Sequence, residues 1–308
     1  MIDAKYKAQV DLLLTILPLV AKEKLFALKG GTAINLFVRE MPRLSVDIDL
    51  TYTSITDNRE TALKNISDAI DRIDTDIKKA VPGISITHVP LGQGEDVKLN
   101  CQTPGAHVKI EVNTITRGII MPVRMMPIAD IVQAEYKKFA AINVVAHGEL
   151  FGGKICAALD RQRPRDLFDV YHLFQNEGFS EAIKLGFIMF LLSHFRPMSE
   201  LIDPHLSDQK QTFETQFSGM TATPFTYQNF EETRARLISE VKKSLTATDK
   251  KFLLSFKNAE PQWDLFPLKE LKDLPAVKWK LQNIQNLKEK NPDKHAALFD
   301  VLTKKLNN

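Results

Sequence analysis

A glycine pair and an alternating segment lie close together near the start of the chain and restrict its possible folds. The apolar residues Phe26-Ala27-Leu28 lead into Lys29-Gly30-Gly31-Thr32, after which apolar residues recur at helical spacing. Val46-Asp47-Ile48-Asp49-Leu50 then alternates between apolar and polar residues, which predicts a half-buried strand. A strand, a glycine turn, a short helix and a second strand form one compact unit, so we expect a sheet domain here.

The pattern changes from strands to helices further along the chain. Three strand-like segments follow, at residues 84–89, 96–102 and 107–113. The turn residues Gly92-Gln93-Gly94 and Pro104-Gly105 separate them, which predicts an antiparallel meander. After this, almost every segment has helical spacing. We therefore predict an α+β fold, with a mixed-sheet domain at residues 1–126 and a mostly α-helical domain at residues 127–308.

Composition and charge place the chain among globular proteins. Hydrophobic residues make up 44% of the chain and charged residues 26%, which is typical of a protein with a real core. A net charge of +3 does not by itself indicate a nucleic-acid-binding protein. Two cysteines are too few for a cysteine-based zinc site. The longest apolar runs are shorter than the roughly 20 residues that span a bilayer, so we expect a cytoplasmic protein without a membrane segment.

Asp47 and Asp49 are the first candidates for metal ligands. Residues two apart on a strand point to the same face, so the two carboxylates project together. Their mutual repulsion falls when a divalent cation lies between them. The alternative is a pair of solvent-facing aspartates on an edge strand, and for so short a motif alone that alternative is the commoner one.

The residues before the predicted short helix are candidates for phosphate binding. At a helix start, backbone N–H groups and the helix dipole attract anions, and glycines such as Gly30 and Gly31 let a phosphate approach the backbone closely. The alternative is an ordinary tight turn that Thr32 caps. Ser45 shares a face with Asp47 and offers a hydroxyl to a phosphate or to the loop. A phosphate-binding turn next to paired carboxylates would suit a nucleoside triphosphate with magnesium.

Three more residues are candidates for the same chemistry. Glu111 would add a third carboxylate if its predicted strand lies beside residues 46–50; the alternative is an exposed residue paired with Lys109. Lys154 follows a second glycine pair in a predicted helix, where its charge suits triphosphate oxygens; the alternative is a lysine that extends from the helix to solvent. Asp166 begins the next predicted helix, where its carboxylate either favours the helix N-terminus or orients Lys154.

Two motifs resemble a known protein family. Residues 28–33 and 43–50 resemble the opening of the nucleotidyltransferase fold. Residues 152–159 and 163–173 resemble the lysine helix and the Arg-Asp-Leu-aromatic-Asp segment of AbiEii/AbiGii-type toxins, which occur in bacterial toxin–antitoxin and abortive-infection systems. The resemblance implies an enzyme that transfers a nucleoside monophosphate from a nucleoside triphosphate to an acceptor and releases pyrophosphate.

The resemblance also implies roles for individual residues. Asp47 and Asp49 are expected to hold Mg²⁺ in a two-ion site with Glu111 as the third acid, and Lys154 and Asp166 to complete the active site. The residues expected to bind the nucleotide are Lys29, Gly30, Gly31, Thr32, Arg43 and Ser45.

The family pattern further implies an RNA acceptor and a protein partner. The best candidate for the acceptor is the 3′ acceptor end of tRNA, and its modification would block translation and growth. A cognate antitoxin is the implied partner. Two alternatives remain open from the residues: a small-molecule nucleotidyltransferase of the antibiotic-modifying type, and a non-catalytic binding module on the same fold.

Overall fold

The computed structural model describes residues 4–91 and 95–307, and this part of the chain forms two compact units. The sheet unit contains the chain up to Ala146 together with Gly219–Pro224. The helical unit contains His147–Ser218 and Phe225–Asn308. The turn expected at Gly92-Gln93-Gly94 lies outside the described residues.

The strands of the sheet unit are β1 (Phe26–Lys29), β2 (Asp47–Tyr52), β3 (Ser85–Leu91), β4 (Glu95–Thr103), β5 (Ala106–Asn113), β6 (Arg124–Pro127) and β7 (Ala141–Val144). Within the described residues they form a seven-stranded mixed sheet in the order β3-β4-β5-β2-β1-β7-β6. β3, β4 and β5 form the predicted antiparallel meander, while β2 runs parallel to β5 and antiparallel to β1. β2 is therefore an interior strand, and the alternative of an edge strand for its aspartates is wrong.

The helices of the sheet unit are α1 (Ala4–Val20), α2 (Gly30–Ala33), α3 (Arg59–Ala80) and α4 (Asp130–Tyr136). α2 continues directly into a π-helical turn at Ile34–Val38. α3 begins after Asn58, whose side chain accepts a hydrogen bond from the backbone N–H of Thr61 at 2.9 Å. Its buried stripe has helical spacing and comprises Ala62, Leu63, Ile66, Ala69, Ile70, Ile73, Asp74 and Ile77.

The division between the units falls after Ala146 and differs from the boundary that the sequence predicts after residue 126. The reason is that the chain continues the sheet through β6 and β7 before the helical unit begins. β7 alternates between half-buried and buried residues over only four positions, and β1 pairs with it through Leu28 and Val144. A strand this short carries too little periodicity to be distinguished from a helix.

The helices of the helical unit are α5 (His147–Arg161), α6 (Pro164–Gln175), α7 (Glu181–Ser193), α8 (Met198–Ile202), α9 (Lys210–Thr212), α10 (Tyr227–Ser244), α11 (Ala247–Lys257), α12 (Pro275–Lys290) and α13 (Pro292–Asn307). α5 and α7 cross at glycines, because a Cβ on Gly152 would lie 2.3 Å from the carbonyl carbon of Gly186. Because glycine has no side chain, the two backbones can touch.

The α+β prediction, with a mixed sheet followed by a helical part, is confirmed. No described helix is long and apolar enough to cross a membrane.

Candidate functional site

The sheet brings three acidic side chains to one face. In the parallel pairing of β2 with β5, Asp47 lies opposite Lys109 and Asp49 lies opposite Glu111. Residues directly opposite each other on paired strands share a face of the sheet, and so do residues two apart on one strand. Asp47, Asp49 and Glu111, here called the acidic face, therefore project together, as the sequence predicts for neighbouring strands.

Two lysines partly neutralise the acidic face. The Nζ atom of Lys109 lies 3.0 Å from Oε2 of Glu111 and 3.9 Å from Oδ2 of Asp47. Lys98 on β4 places its Nζ 3.4 Å from Oε1 of Glu111. Burial favours a higher pKa for Glu111, but the two lysines outweigh it and lower the pKa. The ion pair with Lys109, which the sequence left as an alternative, is therefore present on the same face as the aspartates.

Asp49 combines burial with repulsion from a neighbouring carboxylate. Burial raises its pKa, and the neighbouring charge of Asp47 raises it further, despite the opposing effects of Lys109 and Lys29. A buried carboxylate under repulsion from a like charge gains most from a nearby cation. Carboxylate oxygens are also the ligands that Mg²⁺ prefers. The donor set of the acidic face therefore fits a magnesium ion.

The carboxylate oxygens of the acidic face do not converge as closely as the ligands of one metal ion would. In the described part of the chain, one group of three potential metal ligands has its atoms within 4.8 Å of one another. That group is Asp71, His88 and Asp96, and it does not include the acidic face. The carboxylate oxygens of the acidic face are spread more widely, and Lys109 contacts two of its three acids. The sequence did not indicate Lys98, although the alternation of β4 places it opposite Glu111.

The turn formed by Lys29–Thr32, here called the glycine turn, lies directly against the acidic face. Gly30 has a φ of +74°, a conformation that glycine adopts readily and other residues rarely do. A Cβ at this position would lie 2.7 Å from Oδ2 of Asp49, so a side chain is excluded by the carboxylate as well as by the backbone. Lys29 lies opposite Asp49 in the pairing of β1 with β2.

Gly31 and Thr32 pack against the loop that leads into β2. A Cβ on Gly31 would lie 2.7 Å from Nη2 of Arg43 and 2.8 Å from Oγ of Ser45. The Thr32 hydroxyl lies 3.1 Å from Oγ of Ser45 and donates a hydrogen bond to the main-chain carbonyl of Asp47. Thr32 therefore joins the glycine turn to β2, and it does not cap α2, which has no side-chain cap. The structure brings the six predicted nucleotide-binding residues next to the acidic face.

A segment that is distant in the sequence pairs with the loop that contains Arg43. Gly219–Pro224 belongs to the sheet unit, and Thr221 forms an antiparallel bridge with the buried Arg43. The backbone N–H of Leu44 donates to the carbonyl of Met220 at 3.0 Å. Nothing in the sequence indicated this contact, because it joins short irregular segments that are far apart in the chain.

In the helical unit, Lys154 is held by two aspartates. Its Nζ lies 2.8 Å from Oδ1 of Asp166 and 2.9 Å from Oδ2 of Asp169, and Lys154 is only 8% exposed. Arg161 contacts the other oxygen of Asp166 at 2.9 Å. Burial favours a raised pKa for Asp166, but Lys154 and Arg161 outweigh it and lower the pKa. Lys154 therefore does not extend to solvent, and Asp166 contacts it as the sequence suggested.

A sequence model of the family described as nucleotidyl transferase AbiEii toxin, of type IV toxin–antitoxin systems, matches residues 11–283. The chain belongs to the AbiEii nucleotidyltransferase toxin family. The matched range includes the glycine turn, the acidic face and the Lys154 helix. This AbiEii-family protein is therefore a nucleotidyltransferase, as predicted, and family membership implies a nucleoside triphosphate substrate and an antitoxin partner.

The fold is similar to that of a solved toxin. MenT4, a nucleotidyltransferase toxin from Mycobacterium tuberculosis, superposes with a TM-score of 0.61 at 15% sequence identity. The superposition covers 92% of this chain and 95% of MenT4. The likeness supports the assigned fold. No curated protein matches the sequence.

Proposed function

We propose that this AbiEii-family protein transfers a nucleoside monophosphate to a hydroxyl of RNA, most favourably the 3′ acceptor end of tRNA, in the cytoplasm. Such a modification would prevent aminoacylation and stop translation. The observation that carries the proposal is the contact of the glycine turn with Asp49. That contact sets a backbone segment suited to phosphate beside three carboxylates suited to magnesium.

In this proposal the glycine turn binds the phosphates of the triphosphate. Gly30 and Gly31 leave the backbone accessible, while Ser45 and the buried Arg43 lie behind Gly31 and fix its position. An acceptor hydroxyl attacks the α-phosphorus, its proton passes to a carboxylate of the acidic face, and the bond to pyrophosphate breaks. Two Mg²⁺ ions bound at the acidic face would neutralise the triphosphate and the carboxylates.

For Lys154 and Asp166 the proposal rests on the family resemblance and on their surroundings within the helical unit. Two aspartates fix the ammonium group of Lys154 in one position. A fixed point charge suits the oxygens of a departing pyrophosphate, and such preorganisation avoids reorganisation during the reaction. Asp166 acts through Lys154 in this scheme and is a positioning residue.

The test is nucleotide transfer to RNA. The protein is incubated with total RNA, Mg²⁺ and each α-labelled nucleoside triphosphate in turn, and label is sought on a band of tRNA size. Label should appear with the wild-type protein and disappear with EDTA or with Asp47→Ala. As the matched control, Asp68→Ala removes an exposed carboxylate of α3 that pairs with Lys64, and it should leave transfer unchanged.

Other outcomes would favour the alternatives. Label on a small hydroxyl or amino compound, without label on RNA, would replace the RNA acceptor. Growth arrest that persists in Asp47→Ala without any transfer would indicate a binding module, since the acidic face would then be dispensable for the biological effect.

A further inference from the structure

A second cluster of potential metal ligands lies within the sheet unit, apart from the acidic face. It consists of Asp71 on α3, His88 on β3 and Asp96 on β4, and is here called the His88 cluster. One ligand atom from each residue lies within 4.8 Å of the other two. The proposed nucleotide chemistry uses none of these residues.

A β-bulge brings the strand residues of the cluster together. His88 lies opposite Leu99, but the register changes between Val89 and Pro90, so that Asp96 lies opposite Pro90. The extra residue in β4 places Asp96 on the side of the sheet that His88 occupies. α3 packs on this side of the sheet. Oγ of Ser67 on α3 accepts a hydrogen bond from the backbone N–H of Asp96 at 3.1 Å. Asp71 follows one turn later on α3.

The distances around Nδ1 of His88 suit a small divalent ion. Nδ1 forms a hydrogen bond of 2.6 Å with Oδ2 of Asp96 and lies 3.9 Å from Oδ1 of Asp71. Two ligand atoms of one tetrahedral Zn²⁺ lie about 3.3 Å apart, given metal–ligand bonds of about 2.0–2.2 Å. The two observed distances bracket this value. Side-chain shifts of less than about 1 Å would bring both acids to this spacing from Nδ1. An oxygen of Asp71 and one of Asp96 lie within 4.8 Å of each other.

Asp74 provides an independent indication of a ligand at this place. Asp74 is 9% exposed, and its Oδ2 contacts Nζ of Lys78 at 2.8 Å. Its Oδ1 is buried, and no donor among the described residues forms a hydrogen bond with it. The atom is directed at the His88 ring, 3.6 Å from Nε2. A buried acceptor without a donor is unfavourable, and a proton on Nε2 of His88 would supply the missing donor.

We propose that Asp71, Asp96 and Nδ1 of His88 bind one divalent transition-metal ion such as Zn²⁺. When Nδ1 binds the ion, Nε2 carries the ring proton and donates it to Oδ1 of Asp74. Metal-bound histidines commonly donate their second N–H to a carboxylate in this way, which fixes the ring and its tautomer. One imidazole nitrogen with carboxylate oxygens is a ligand set that zinc accepts. The ion would join α3 to the hairpin of β3 and β4.

Calorimetric titration of the full-length protein with Zn²⁺, after removal of metals by a chelator, tests the site. We expect one ion per chain, bound at least tenfold more weakly by His88→Gln and by Asp71→Asn. The Asp71 side chain is 63% exposed, so Asp71→Asn should fold normally even if His88→Gln does not. His107→Gln, which changes an exposed histidine of β5, is the matched control and should bind as the wild type does. Asp47→Ala should also bind normally, which separates this site from the acidic face.

Two results would overturn the proposal. One is the absence of stoichiometric Zn²⁺ binding, which would leave the His88 cluster as a set of ion pairs. The other is binding that Asp71→Asn and His88→Gln leave unchanged.

The position of Asp74 has its own spectroscopic test. On addition of Zn²⁺, the ¹⁵N chemical shifts of His88 should show a metal-bound Nδ1 and a protonated Nε2. In Asp74→Leu the Nε2 proton should lose its protection from exchange with solvent, while a metal bound through Nε2 would contradict the assigned roles.

Discussion

The contact between Gly30 and Asp49 allows a sharp test of the glycine turn, because the chain contains a matched control. Gly30→Ala forces a side chain into a backbone with a φ of +74°, and its Cβ would lie 2.7 Å from Oδ2 of Asp49. Gly83→Ala imposes the same backbone strain, with a φ of +77°, but its Cβ meets no atom within 4 Å. Both variants should lose about 1–2 kcal/mol of unfolding free energy, which is the cost of this backbone region for an alanine.

Only Gly30→Ala should lose activity beyond this common effect. The Cβ displaces the Asp49 carboxylate, and a misplacement of about 1 Å at a reacting site costs on the order of 100-fold in rate. The measurement pairs urea unfolding of the two variants with initial rates of nucleotide transfer at a temperature where both remain folded. Equal rates in Gly30→Ala and Gly83→Ala would refute the reasoning, because the contact with Asp49 would then have no role in transfer.

Other predictions concern the helical unit. Lys154→Ala should reduce transfer at least 100-fold, while Lys184→Ala, which removes another buried lysine held by two acids, should lower the unfolding midpoint and leave the rate per folded molecule intact. Gly186→Ala should cost more than about 3 kcal/mol in urea unfolding, because its Cβ would lie 1.9 Å from the carbonyl oxygen of Gly148; a loss below about 1 kcal/mol would show that α5 and α7 separate easily. The pKa of Asp166 is lowered in the folded protein, so its stabilising effect should be present above its unfolded pKa of about 3.9 and disappear as the pH falls through the lower folded value. Unfolding of wild type and Asp166→Asn from pH 7 to pH 2 should therefore show a difference that narrows in acid, and a constant difference would contradict this.

Local patterns made much of the sheet unit predictable. The alternation of β2 indicated that Asp47 and Asp49 share a face, and the turn residues between the later strands indicated the meander. For Glu111 the sequence set only a condition, that its strand lie beside β2, and the structure supplies that pairing and its register. The alternation of β2 and the turns of the meander depend on residues close together in the sequence, where periodicity carries the information.

Features that depend on distant contacts were not predictable in the same way. The His88 cluster draws on a helix and two strands, and a bulge turns Asp96 to the shared side. The oxygens that Lys98 and Lys109 contact depend on side-chain positions that strand spacing does not fix. Asp74 lies within the buried stripe of α3, where the pattern favours an apolar residue, and only its neighbours explain it.

The bridge between Arg43 and Thr221 means that the sheet unit is discontinuous in sequence. A gene fragment that stops at residue 146 would lack the strip that accepts the N–H of Leu44, leaving a backbone donor without its acceptor. Arg43 packs against Gly31, so that loss would also disturb the glycine turn. Expression of residues 1–146 alone should therefore yield a destabilised sheet domain. A shortened protein that keeps this domain intact would need residues 219–224 joined to it by a linker.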